Sequence, residues 1–120
     1  MAAQTQAATL AEPFTLKPGE LARIASEQAQ VRFDRVVADS RCPRDVQCVT
    51  AGQATVRLRV TLRGENERTL DMQTTPGGEQ TTMGSYLLKL ADLVPLPTAG
   101  AAVKSADYRA TFVLTTTASR

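Results

Sequence analysis

Two cysteines, Cys42 and Cys48, lie inside the segment Asp39-Ser40-Arg41-Cys42-Pro43-Arg44-Asp45-Val46-Gln47-Cys48, with two acids and two arginines beside them. Three kinds of chemistry suit such a group. Thiol redox catalysis favours Cys-x-x-Cys, and the wider spacing here argues against it. A metal site needs further ligands, and the chain has no histidine, so they would all be carboxylates. The third option is a disulfide, favoured by an even pair with no spare thiol. Pro43 helps the chain turn between the two sulfurs. In the chain-entropy account so short a ring stabilises by about 2 kcal/mol, and its larger effect is to stiffen the loop.

On that ring Asp39, Arg41, Arg44 and Asp45 form a candidate binding loop, because a rigid loop loses little entropy when it is recognised. A sharp version is protease inhibition with Arg44 as the bait residue. The plainer reading is favoured: an acid pairs with Arg41 or a strand arginine, and the ring staples one edge of the fold. A second group, Arg57, Arg59 and Arg63, falls on one side of an alternating segment and is a candidate face for an anionic ligand. Arg32 or Arg68 would join it from neighbouring strands. Here too the plainer reading is favoured, with Asp34, Glu65 and Glu67 pairing with the arginines in solvent. No aromatic residue interleaves with the stripe, so nucleic acid is not an expected partner.

Enzymatic constellations are weak. Ser85 with Lys89, and Lys104 beside Ser105, are chance-level Ser–Lys pairs outside any nucleophile turn. Glu65 and Glu67 read as exposed, and Gly77-Gly78 fits no phosphate-binding pattern. No enzyme activity, no metal and no cofactor are expected.

These residues must be positioned by strands. Gln53–Arg63 alternates without an error: Ala54, Val56, Leu58, Val60 and Leu62 point one way, arginines and threonines the other. Arg68–Gln73 returns after a polar turn at Gly64–Glu67. Val31–Ala38 is β-like but slips phase at Arg35, which predicts a β-bulge there. Phe14–Leu16, the turn Lys17-Pro18-Gly19-Glu20 and the strand Glu20–Ala25 predict an opening hairpin. Thr74–Gly84 reads as a loop. Ser85–Val94 fits a strand at Tyr86, Leu88 and Leu90 and a helix face at Leu87, Leu90, Ala91 and Val94; the strand is favoured to about Leu90, then an irregular or one-turn stretch up to Pro95-Leu96-Pro97. Tyr108, Ala110, Phe112 and Leu114 alternate in a last strand. About seven short strands without a helix predict an antiparallel β-sandwich, immunoglobulin-like in shape, with a small open β-barrel as the alternative. Hydrophobic residues make up 42% of the chain, enough for a core, and aromatics only 4%, so aliphatic side chains must build it.

The pattern Asp39-Ser40-Arg41-Cys42-Pro43, Val46-Gln47-Cys48-Val49, Ala51-Gly52 resembles a group of small, uncharacterised bacterial exported or lipoprotein-like β-domains. The likeness covers roughly residues 31–63, with an echo at Tyr86-Leu87-Leu88-Lys89-Leu90 and Pro95. Thr50 stands where that pattern has tryptophan. The resemblance implies an exported β-domain with a disulfide loop, and no activity.

At 120 residues the chain is one domain, expected over 13–117, with a flexible leader at 1–12 and a tail at 118–120. The net charge of +2 is too small to name a partner. No apolar run is long enough to span a membrane. The leader lacks the features of a signal peptide, so an extracytoplasmic location (periplasmic, secreted or lipid-anchored) assumes an export signal outside this chain. The function expected is that of a non-catalytic binding or scaffolding module at the bacterial envelope, monomeric or weakly dimeric, with a protein or glycan partner.

Overall fold

A computed structural model of the protein describes residues 5–117. The expected tail at 118–120 lies outside them. Among the described residues nine strands form two facing sheets: β1 (Thr5–Ala7), β2 (Phe14–Leu16), β3 (Leu21–Ile24), β4 (Ala29–Asp39), β5 (Ala54–Leu62), β6 (Arg68–Gln73), β7 (Gln80–Met83), β8 (Tyr86–Val94) and β9 (Arg109–Thr116). One sheet has the order β1-β3-β4-β5-β6 and the other β2-β9-β8-β7. Every pairing is antiparallel except β1 on β3. The fold is therefore the expected sandwich, and the two sheets do not close into a barrel. Its connections are two meanders, β3 to β6 and β7 to β9, so the likeness to an immunoglobulin domain stops at the two-sheet shape.

The core follows from alternation. Ala54, Val56, Leu58, Val60 and Leu62 of β5 are buried, and Ala110, Phe112 and Leu114 of β9 face them. Phe33 of β4 meets Phe112 edge-on across the two layers, with ring centroids 6.4 Å apart.

Four sequence expectations are corrected. Of the leader expected at 1–12, residues 1–4 lie outside the described residues, whereas Thr5–Ala7 is a strand paired along the free edge of β3 and Leu10 packs on the core. Backbone pairing on an open edge needs no hydrophobic pattern, so composition gave no sign of it. The Lys17–Glu20 turn forms, with Gly19 at φ +86° and the Glu20 N–H donating to the Lys17 carbonyl at 2.9 Å. It does not make a hairpin, since β2 joins β9 and β3 joins β4. Gln80–Met83, expected within a loop, is a strand that pairs with β8 through the two-residue connection Gly84-Ser85. Finally, β8 runs to Val94 without an irregular end, because a bulge between Leu90 and Asp92 absorbs the phase slip.

The bulge expected near Arg35 is present between Phe33 and Arg35, and a second follows between Val36 and Ala38. Each extra residue flips the side-chain phase. Together they place Val37 outward, exposed, and Asp39 opposite Ala54 on the inward face. That second bulge positions the site.

Candidate functional site

Beyond β4 and β5 the ladder continues without strand geometry. The Ser40 N–H donates to the Gln53 carbonyl at 2.7 Å, and the Cys42 N–H to the Ala51 carbonyl at 2.9 Å. Ser40 Oγ accepts the Gln53 N–H at 3.2 Å. Gly52 lets the two sides close. It has φ +66°, and a Cβ built there would lie 1.9 Å from the Ser40 oxygen. Above this neck Cys42 and Cys48 form a disulfide, with Cα atoms 5.9 Å apart.

Arg41 does not point to solvent. Its Nε and Nη2 donate to the two carboxylate oxygens of Asp39 at 2.9 and 2.8 Å. Its Nη1 donates to the Leu93 carbonyl at 2.6 Å and Nη2 to the Pro95 carbonyl at 2.8 Å. The Tyr108 hydroxyl donates to Asp39 Oδ2 at 2.8 Å. One guanidinium thus ties the end of β4 to the end of β8, and one carboxylate ties both to the start of β9. The Leu93 N–H is taken by Asp92 Oδ1 at 2.9 Å. Side chains therefore occupy the backbone groups at the far end of β8, which β7 is too short to cover.

Burial works against charge here, and the hydrogen bonds win. Desolvation alone would raise the Asp39 carboxyl, yet bonds from Arg41 and Tyr108 hold it below its ordinary value. Desolvation would likewise lower the Arg41 guanidinium, and the paired Asp39 raises it instead. Tyr108 is pushed up to about 12 by burial and by its bond to the Asp39 carboxylate.

From Arg44 to Ala51 the loop is exposed. Pro43–Val46 is a tight turn closed by the Val46 N–H on the Pro43 carbonyl at 3.1 Å. Arg44 lies within it, and its N–H donates to the Pro97 carbonyl at 3.0 Å. Asp45 accepts the Ala99 N–H at 2.9 Å. The ring is thus docked on the Pro95–Ala99 segment. Arg44 sits in a turn, with its backbone donor already used, which differs from an extended bait segment open to a protease.

The candidate residues therefore separate. Asp39 and Arg41 are a buried brace, while Arg44 and Asp45 sit on the surface. Of the large hydrophobics exposed among the described residues, Val46 and Val49 lie in or just after the ring and Val94 and Leu96 at the end of β8 beneath it, while Val37 stands on the outer face of β4. Two adjoining hollows of about 340 Å³ each share Arg41, Thr74 and Leu96 as lining.

The arginine stripe also divides. Arg57 forks Asp71 at 2.9 and 3.1 Å, and that bond lowers the Asp71 carboxyl. Arg59 lies 3.9 Å from Asp34 and 3.7 Å from Glu67. Arg63 leaves the face altogether, which corrects its assignment to the stripe. It is in the β5–β6 turn at φ +35°, with Nε 3.4 Å from the Tyr86 hydroxyl and Nη2 3.9 Å from Glu27. The phase ends with the strand, so Arg63 does not follow Arg59. Arg68 pairs locally with Glu65 at 2.8 Å.

Sequence reasoning missed Tyr108 and Gly52. Tyr108 fitted an inward core position, and the one available signal was its hydroxyl, which needs a hydrogen-bond partner when a tyrosine is buried. Gly52 entered only as part of the pattern shared with the exported β-domains, with no structural role given to it. Among the described residues no three metal-ligating side chains converge, and no helix is long and apolar enough to cross a membrane. Comparison with protein-family models, curated proteins and solved structures found no match.

Proposed function

We propose that this chain is a non-catalytic, extracytoplasmic binding or scaffolding module of the bacterial envelope, and that it meets a protein partner with its disulfide-ring end. The gathering of exposed branched apolar side chains on and beneath one rigid ring carries this reading. Scattered single hydrophobics need no explanation, whereas a cluster at one end of a domain is typical of an interaction surface. The ring and the Arg41 brace hold that surface in one shape, which lowers the ordering cost of recognition. The disulfide is compatible with an oxidising compartment, and the resemblance to exported β-domains points the same way.

The test uses a photo-crosslinking residue at Val49 and, in a second variant, at Val113 on the outer face of β9. Both are displayed in the periplasm of living bacteria. A discrete adduct from Val49 alone supports the reading. Adducts from both positions, or from neither, overturn it.

A further inference from the structure

The outward face of the larger sheet holds a square of four arginines that folding does not require. The register sets Arg32 directly opposite Arg59, and Arg35 directly opposite Arg57. Like charges directly opposite one another destabilise an antiparallel pair. The bulge between Phe33 and Arg35 brings Arg35 onto this face. Acids relieve the square only in part: Arg57 is forked by Asp71, and Arg59 has only the looser approaches of Asp34 and Glu67. Arg32 and Arg35 take part in no ion pair among the described residues. The Arg32 Nε is buried and has no acceptor. Neutral hydrogen-bonding groups flank the square, with Thr69 opposite Arg59 and Gln30 opposite Thr61.

We propose that this face binds a linear acidic polysaccharide, whose repeated carboxylates or sulfates bridge the four guanidinium groups. The surface is distinct from the ring end. Neighbouring strands lie about 4.8 Å apart, and same-face residues along a strand about 6.8 Å apart. One small anion therefore cannot serve all four arginines, whereas an extended polyanion can. The threonine hydroxyls and the Gln30 amide suit a ligand rich in hydroxyl groups. No aromatic residue stands on this face, so bases have nothing to stack on. Seating on a bilayer gains from apolar side chains inserted beside the basic ones, and only Val37 borders the square while Val46, Val49, Val94 and Leu96 belong to the ring end.

The test titrates the purified protein with labelled polygalacturonate and, separately, dextran sulfate at low salt. The double variant Arg32→Gln/Arg35→Gln should bind about tenfold more weakly to at least one of them. Its affinity should also depend less steeply on salt. The double variant Arg63→Gln/Arg68→Gln removes the same charge from the turn end and should change affinity less than about twofold. Because the first variant relieves opposed charges, its unfolding midpoint should stay the same or rise. Any of four results would overturn the proposal. They are no binding of either polysaccharide by the parent, equal losses in the two double variants, a lower midpoint for the first, or tighter binding to phosphatidylglycerol vesicles or single-stranded DNA.

Discussion

Arg41 and Arg57 are the same residue type, and each forks one aspartate with Nε and Nη2. Their surroundings make them different objects. The side chains of Arg41 and Asp39 are 7% and 11% exposed, and those of Arg57 and Asp71 are 30% and 43% exposed, so water competes only for the second pair. Arg41 also holds the Leu93 carbonyl of the opposite sheet and the Pro95 carbonyl just beyond it, whereas Arg57 reaches only a neighbouring strand. A buried fork is costly to break because its partners stay buried and unpaired. An exposed fork is cheap to break because solvent replaces it. The same side chain thus closes a buried brace at the ring end and an exposed, solvent-replaceable pair on the sheet face.

The strongest challenge to that contrast is Arg41→Leu, which leaves Asp39 and the Leu93 and Pro95 carbonyls without their donor. It should lower unfolding free energy by about 3–5 kcal/mol in urea denaturation. Arg41→Lys should recover only part of this, since an ammonium cannot reproduce the planar fork. A loss below about 1 kcal/mol for Arg41→Leu would show that burial does not set the two pairs apart.

Gly52 sharpens the contrast through the backbone. Gly52→Ala sets a Cβ against the Ser40 carbonyl and keeps a positive φ, so a loss of about 2–3 kcal/mol is expected. Gly64→Ala keeps the positive φ with open space around it and should cost about 1 kcal/mol. Equal midpoints for the two variants would mean that the neck of the ring yields easily. Replacing both cysteines by serine should cost about 2 kcal/mol in the chain-entropy account and leave the Arg41 brace in place. The check is whether the Arg41→Leu penalty persists in the cysteine-free background.

The brace also predicts opposite responses at the two ends of the pH scale. The folded Asp39 carboxyl lies below its unfolded value near 3.8, so its contribution is present above that pH. The contribution is lost as pH falls further, through the folded value. Folded Tyr108 is raised to about 12 from 10.0, so its contribution is complete below pH 10 and disappears as pH climbs towards 12. Tyr108→Phe should flatten the alkaline limb of stability against pH, and an unchanged limb would place the proton elsewhere. Smallest of all, Arg57→Gln or Asp71→Asn should shift stability by no more than about 0.5 kcal/mol, and less in high salt.

Alternation made most of the fold legible. β5 and β9 could be read residue by residue, and the first bulge of β4 was visible because Arg35 interrupts an apolar rhythm. β7 was not legible, since Gln-Thr-Thr-Met has no rhythm to detect and is a strand only because β8 provides a partner. β1 was hidden for the same reason. In the site, the Asp39–Arg41 pair was one of the pairings read from sequence, but its destination was not. The Leu93 and Pro95 carbonyls that complete it are backbone atoms, which no residue type announces. Arg63 misled because an unbroken series of side chains does not show where the strand stops.

Sequence by itself determined the β class, the inward rows of the long strands, the turn chemistry of Pro18-Gly19 and the nearness of two cysteines. Each is a local matter: a period of two, a fixed φ, a short loop. Tertiary structure alone decided which strands share a sheet, that a second bulge turns Asp39 inward, and that Arg41 is a brace while Arg32 and Arg35 form no ion pair among the described residues. Those outcomes depend on what faces a residue across the sandwich or the sheet, and the free energy of a charge is set by that neighbour and by its access to water.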